Sequence, residues 1–180
     1  VKQLDTLTET LRDMPRRISI QDLKRIATDG FASTLAYALA VGHEIGRERA
    51  LRILANLIGE RKTAWGRRNL RPEEKGSDAI AALTLERQYI RANSTPGTYE
   101  PSNIEVVEKS PRRVVTRHRG FCVVLEACKR LGLKTSDICP IVSSVSWEMA
   151  YRALVDPKIT MKITKLRPEA EYCEEIIEVK

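Results

Sequence analysis

A chain of 180 residues suits one domain, or one core with a helical extension, and is ample to bury an apolar interior. Its 31 Lys and Arg against 24 Asp and Glu leave a formal net charge of +7, and with both signs this abundant the composition is that of a folded, water-exposed protein. No uncharged apolar run is long enough to span a bilayer, nothing resembles a signal peptide, and four cysteines without close-spaced pairs argue for free thiols, so a cytoplasmic protein with no membrane contact is expected.

Taken in order, Leu4, Leu7 and Leu11 recur at helical spacing ahead of Met14-Pro15, predicting a short amphipathic helix. A helix that short is marginal alone, so it should dock on its own chain or on a second subunit, which makes a homo-oligomer the expected state. Ser19 with Asp22 three residues on predicts a helix from Ile20 past Gly30, where a bend is expected, and the apolar run from Phe31 to Val41 predicts a buried continuation. The stripe Ile45, Leu51, Leu54, Leu57 and Ile58 predicts a surface helix over 46–68. After Pro72, Ser77 should cap a helix through Ile80, Leu83 and Leu85 to about Arg91. Asn93-Ser-Thr-Pro-Gly-Thr is the clearest break in the chain. It divides a helical layer, residues 1–92, from an α+β unit, residues 93–180, within one domain.

In the second half, Ile104-Glu-Val-Val-Glu and Val114-Val-Thr-Arg-His-Arg form a predicted hairpin about the turn at Pro111. Helical periodicity follows from Phe121 and stops at Gly132, a second helix is expected over 146–154, and Asp156-Pro157 ends it. Ile159 to Lys165 and Tyr172 to Val179 make a second strand pair joined at Arg167-Pro-Glu-Ala. The expected class is α+β: a helical N-terminal half packed on an antiparallel sheet of two hairpins with helices between them.

Chemistry-bearing residues concentrate in that half. Cys122 and Cys128 lie about 120° apart round one predicted helix and are expected to be small buried hydrophobes. Cys139 stands at a loop or helix start before Pro140, where backbone amides could lower a thiol's pKa. Strand alternation sets Cys173, Glu175 and Ile177 on one face and Tyr172, Glu174, Ile176 and Glu178 on the other, with carboxylates expected on the uncovered side of the sheet. His118, between Arg117 and Arg119, should be held neutral by its cationic neighbours and could serve as a base. His43, Glu44 and Glu48 are expected on a solvated helix face, since neither HExxH nor Cys-x-x-Cys is present. Basic residues crowd into 61–71 and 109–119, but aromatic residues for stacking are scarce and no nucleic-acid-binding module is visible, which argues against nucleic acid as the partner.

Cys139-Pro140, Trp147, Asp156-Pro157-Lys158-Ile159 running into Lys162-Ile-Thr-Lys, and Glu171-Tyr172-Cys173-Glu174 ahead of Ile176-Ile177-Glu178 together resemble the closing pattern of the L-2-amino-thiazoline-4-carboxylic acid hydrolase family. The resemblance covers 104–180 and extends, more distantly, to the vinyl-reductase-type ligand-binding domain. The chain departs from the pattern at Pro168-Glu169-Ala170-Glu171, in place of a Gly-Asp turn, and at Glu175, in place of an aromatic residue. The resemblance implies a hydrolase that opens a small carboxylate-bearing cyclic amidine or amide ring by C–N bond hydrolysis. On that reading Cys139, Cys173 and His118 are the catalytic candidates, Trp147 walls the substrate pocket, and Arg117, Arg119 and Glu174 bind substrate, the arginines at its carboxylate. Cys139 and Cys173 are expected to meet at the sheet surface, and if a metal such as zinc or iron is present they are its expected ligands. A ligand- or metal-binding sensory domain without turnover is the alternative, and a basic interaction protein, with steeply salt-dependent binding, is a third.

Overall fold

A computed structural model describes residues 18–71, 76–94 and 99–180 of the chain. Among these residues the sequence folds into five α-helices and one four-stranded antiparallel sheet, with the first three helices preceding the sheet. The predicted helix carrying Leu4, Leu7 and Leu11 lies outside the described residues, as does 95–98 of the predicted break.

The first helix, α1 (Ile20–Ile45), begins where its cap predicts: the Asp22 N–H donates to Ser19 Oγ at 3.1 Å and the Ser19 N–H returns to Asp22 Oδ2 at 3.3 Å. It continues without a break through Gly30, and the run after Phe31 is one-sided rather than buried all round, with Leu35 enclosed and Tyr37 74% exposed. Gly46, at φ 92°, both ends α1 and starts α2 (Arg47–Asn69), so the two helices turn back on each other through a single residue whose backbone only glycine adopts freely. The expected surface helix is amphipathic: Arg47, Glu48, Arg49, Arg52, Glu60 and Arg61 are exposed, as is Leu57 of the predicted stripe, and the opposite face is buried. Leu51, Leu54 and Ala55 are buried, Lys62 is 7% exposed, and Gly59 and Gly66 lie against Met149 and Leu154 of the helix α5 (Cys139–Leu154).

The helix α3 (Ala79–Asn93) is capped by Asp78, not Ser77, its carboxylate accepting from the Ala81 N–H at 2.8 Å. After it come β1 (Ile104–Lys109), β2 (Arg113–His118), α4 (Val123–Leu131), α5, β3 (Ile159–Lys165) and β4 (Cys173–Val179). Gly132 releases α4 in the left-handed region at φ 66°. Helix α5 begins seven residues ahead of the expected Ser146, because Pro140 falls in its first turn, where a missing N–H costs nothing.

The strand order is β1-β2-β4-β3, so the two hairpins join through β2 and β4 at the centre. Register sets Val114 opposite Ile177, Thr116 opposite Glu175 and His118 opposite Cys173. These rows face the helices: Val114 and Ile177 are fully buried, and Thr116, His118 and Glu175 are 1%, 4% and 9% exposed. The alternate rows, Arg113 with Glu178 and Arg117 with Glu174, face away. Two apolar clusters hold the layers together. One joins α3, the sheet and the end of α5 through Leu83, Ile90, Val114, Tyr151, Ile159 and Ile177. The other joins α1, α2, α4 and the start of α5 through Leu35, Leu51, Leu54, Cys128 and Val142. No helix among the described residues is long and apolar enough to cross a membrane.

Candidate functional site

Where the two clusters meet they leave a cavity of about 260 Å³, lined by Phe31, Ile58, Ile90 and Val142 from the apolar layers and by a polar group at its centre. Its size falls below the ~300–1,000 Å³ of drug-sized pockets and suits a small metabolite. Nearly every element contributes: Lys62 from α2, Glu86 from α3, His118 from β2, Trp147 from α5, Cys173 and Glu175 from β4. Arg167 reaches it from the connection between β3 and β4.

Glu86, His118 and Glu175 each place one ligand-capable atom within 4.8 Å of the others. Glu86 is 1% exposed and accepts from the Tyr151 hydroxyl at 3.0 Å. Burial and the nearby Glu175 push its carboxyl up to about 7, against the opposing pull of His118, Tyr151 and Lys62. His118 Nε2 stands 3.0 Å from Thr116 Oγ1 and 3.2 Å from Glu175 Oε2, while Nδ1 is hydrogen-bonded to the Tyr99 hydroxyl, whose ring stacks on the imidazole. Burial disfavours the imidazolium, but Glu175 and then Glu86 outweigh it and raise the group to about 9. The expectation of a neutral imidazole is thereby corrected: Arg117 and Arg119 adjoin His118 in sequence, yet the side chains that face it are carboxylates. Glu175 Oε2 is a buried oxygen with no hydrogen bond, and its approach to His118 is an ionic contact without hydrogen-bond alignment.

Lys62 donates to Ser146 Oγ at 2.9 Å and lies 3.7 Å from the Trp147 ring centroid. Burial lowers its ammonium to about 7, in spite of Glu86 and Glu175. Cys122, Cys139 and Cys173 all line the cavity, and all four cysteines are free. Burial raises the Cys122 thiol above its usual value and the Cys139 thiol well above it, so the amide-stabilised thiolate expected at Cys139 is not what its surroundings favour. Cys128 belongs to the apolar cluster, where burial takes it up to about 11.

The predicted residues thus divide by sheet face. His118, Cys139, Cys173 and Trp147 come together round the cavity. Arg117, Arg119 and Glu174 belong to the other face: Arg117 Nε donates to Glu174 Oε2 at 3.1 Å, and both guanidinium groups lie over the Tyr172 ring at 4.5 and 4.9 Å. Cations reach the cavity from Lys62 and Arg167 instead; Arg167 Nη1 donates to the Gly120 carbonyl at 2.6 Å, and its Nε is buried without a hydrogen-bond acceptor. Glu175, expected on the uncovered side, points inward beside Cys173. Lys62, Glu86 and Glu175 did leave a signal, each being a charge where the apolar period calls for a hydrophobe: Lys62 four after Ile58, Glu86 between Leu83 and Ile90, Glu175 two before Ile177. No protein-family model and no curated protein matches the chain, so geometry carries the functional argument.

Proposed function

We propose that this cavity is the active site of a small-molecule hydrolase that opens a carboxylate-bearing cyclic amidine or amide ring, the reaction class that the resemblance of 104–180 implies. The observation that supports it is the convergence of two carboxylates, an imidazole and a lysine, all buried, on one partly open and largely apolar cavity. Lys62 and the Arg167 guanidinium, not Arg117 and Arg119, take the substrate carboxylate, while Trp147 forms a wall for the ring. Glu175, with its unbonded Oε2, accepts a proton as water adds to the ring carbon. The new C–O bond forms as the ring C–N bond breaks, and the proton returns to the leaving nitrogen from the Glu86–His118 side of the cluster. Water, rather than the thiol of Cys139, is the nucleophile on this reading, because burial holds that thiol protonated.

Ring opening of L-2-amino-thiazoline-4-carboxylate and of related cyclic amides is the direct assay. Glu175→Gln keeps the shape and removes the proton acceptor, so turnover should fall by about 10²–10⁴-fold, and Lys62→Met should raise KM more than it lowers kcat. Full turnover in Glu175→Gln, or no ring opening of any such substrate, rejects the reading. Three thiols round an apolar lining favour a second one, a ligand-binding sensory domain, for which the same rings bind without being opened. A cytoplasmic homo-oligomer, assembled through Leu4, Leu7 and Leu11, completes the proposal.

A further inference from the structure

We propose that Glu86, His118 and Glu175 bind a divalent first-row transition-metal ion. One imidazole and two carboxylates are a donor set for such ions, and their ligand atoms all lie within 4.8 Å of one another. The best-defined edge of the triangle, His118 Nε2 to Glu175 Oε2, is 3.2 Å. Metal–ligand bonds of about 2.1 Å put neighbouring donors roughly 3.0 Å apart in an octahedron and roughly 3.4 Å apart in a tetrahedron, so this edge needs almost no adjustment. The remaining contacts resemble the outer shell that metal sites use. The Tyr99 hydroxyl fixes the other imidazole nitrogen, and the Tyr151 hydroxyl at 3.0 Å orients the Glu86 carboxylate.

A second observation concerns the oxygen of Glu175 that makes the ionic contact with His118. Glu175 is 9% exposed, and its Oε2 is buried inside the protein with no hydrogen bond. A carboxylate oxygen left in that condition is costly unless something else completes it, and a cation among the three donors would do so. Lys62 does not take that place, since its ammonium is occupied by Ser146 and the Trp147 ring. Three protein ligands leave positions open to the cavity, the arrangement of catalytic rather than structural sites. When bound, such an ion would supply Lewis-acid polarisation and a more acidic water.

This inference takes the cavity of the hydrolase reading as its setting, with a water on the ion replacing Glu175 as the source of the nucleophile while the ion is bound, and its test measures the metal directly. Chelator-stripped protein is titrated with Zn²⁺ and with Mn²⁺ by calorimetry, and its Co²⁺ form is read by visible absorption. One ion per chain is expected, with affinity lowered at least 100-fold in His118→Gln and in Glu175→Gln and retained in the Cys139→Ser/Cys173→Ser double variant. The Co²⁺ spectrum of the unaltered chain should lack a thiolate charge-transfer band, which decides between the two donor sets even if a variant does not fold. Absence of binding by both Zn²⁺ and Mn²⁺, or a thiolate band that disappears with the two cysteines, overturns the site. Ring opening by a protein that takes up neither ion would remove this inference and leave the hydrolase, whereas stoichiometric metal without ring opening would do the reverse.

Discussion

At Lys62 an ammonium group is 7% exposed, with one hydroxyl partner and an aromatic face beneath it, and burial has brought it down to about 7 from an ordinary 10.5. The unfolded chain therefore holds this proton more tightly than the folded one. Between about 7 and 10.5 the unfolded state binds more protons, so the charge costs most stability below the lower value, and the cost fades as pH rises through the window. Methionine has nearly the same reach and no charge. Lys62→Met should accordingly raise the urea midpoint, with the largest gain below pH 7 and little remaining near pH 10. A gain independent of pH would show that packing, not charge, explains it. The proposal assigns the retained charge to the substrate carboxylate, which gives Lys62 a function that offsets its cost.

Between elements, the glycines of the two long helices separate close approach from empty space. A Cβ on Gly59 would stand 3.1 Å from the Ser146 carbonyl oxygen and 3.2 Å from Met149 Cβ, so α2 and α5 meet there with no room to spare. Gly30 lies on the exposed side of α1 with nothing within 4 Å of such a Cβ. Alanine gains roughly 1 kcal/mol of helix propensity at either position. At Gly59 overpacking of about 1–3 kcal/mol opposes that gain. Denaturant melts should show Gly30→Ala more stable by up to about 1 kcal/mol and Gly59→Ala less stable by about as much. Equal effects at the two sites would contradict the tight α2–α5 contact. The same scale shows what a reader of the sequence can recover. Element type and strand pairing were legible because Ser19 with Asp22, Gly132 and the alternation of β4 are local signals. The outer face of α2 was legible too, but its one buried charge was not: Lys62 follows Arg61 in a basic run, and only the tertiary fold shows that it belongs to the buried side. Likewise Arg117 and His118 are neighbours in sequence and lie on opposite faces of the sheet, so proximity along the chain misassigned the substrate cation.

For the molecule as a whole, the cavity lies between the helical layer and the sheet, and its wall draws on Phe31 of α1, Lys62 of α2, Glu86 of α3, His118 of β2, Trp147 of α5 and Glu175 of β4. No single hairpin or helix pair reproduces that wall, so a ligand held there binds the folded chain and not the unfolded one. Mass action then ties occupancy to global stability. At a ligand concentration 100 times Kd the folded state gains about 2.7 kcal/mol. For a protein of this length each kcal/mol moves Tm by about 2–4 °C, so the full shift should be roughly 5–11 °C. L-2-amino-thiazoline-4-carboxylate should produce it in a Glu175→Gln variant, which would bind the ring without opening it. The decarboxylated ring should produce much less, and Lys62→Met should narrow the difference between the two, because the carboxylate would keep only Arg167 as its cation. A shift that ignores both the carboxylate and Lys62 would place the ligand elsewhere on the protein and remove the cavity as its site.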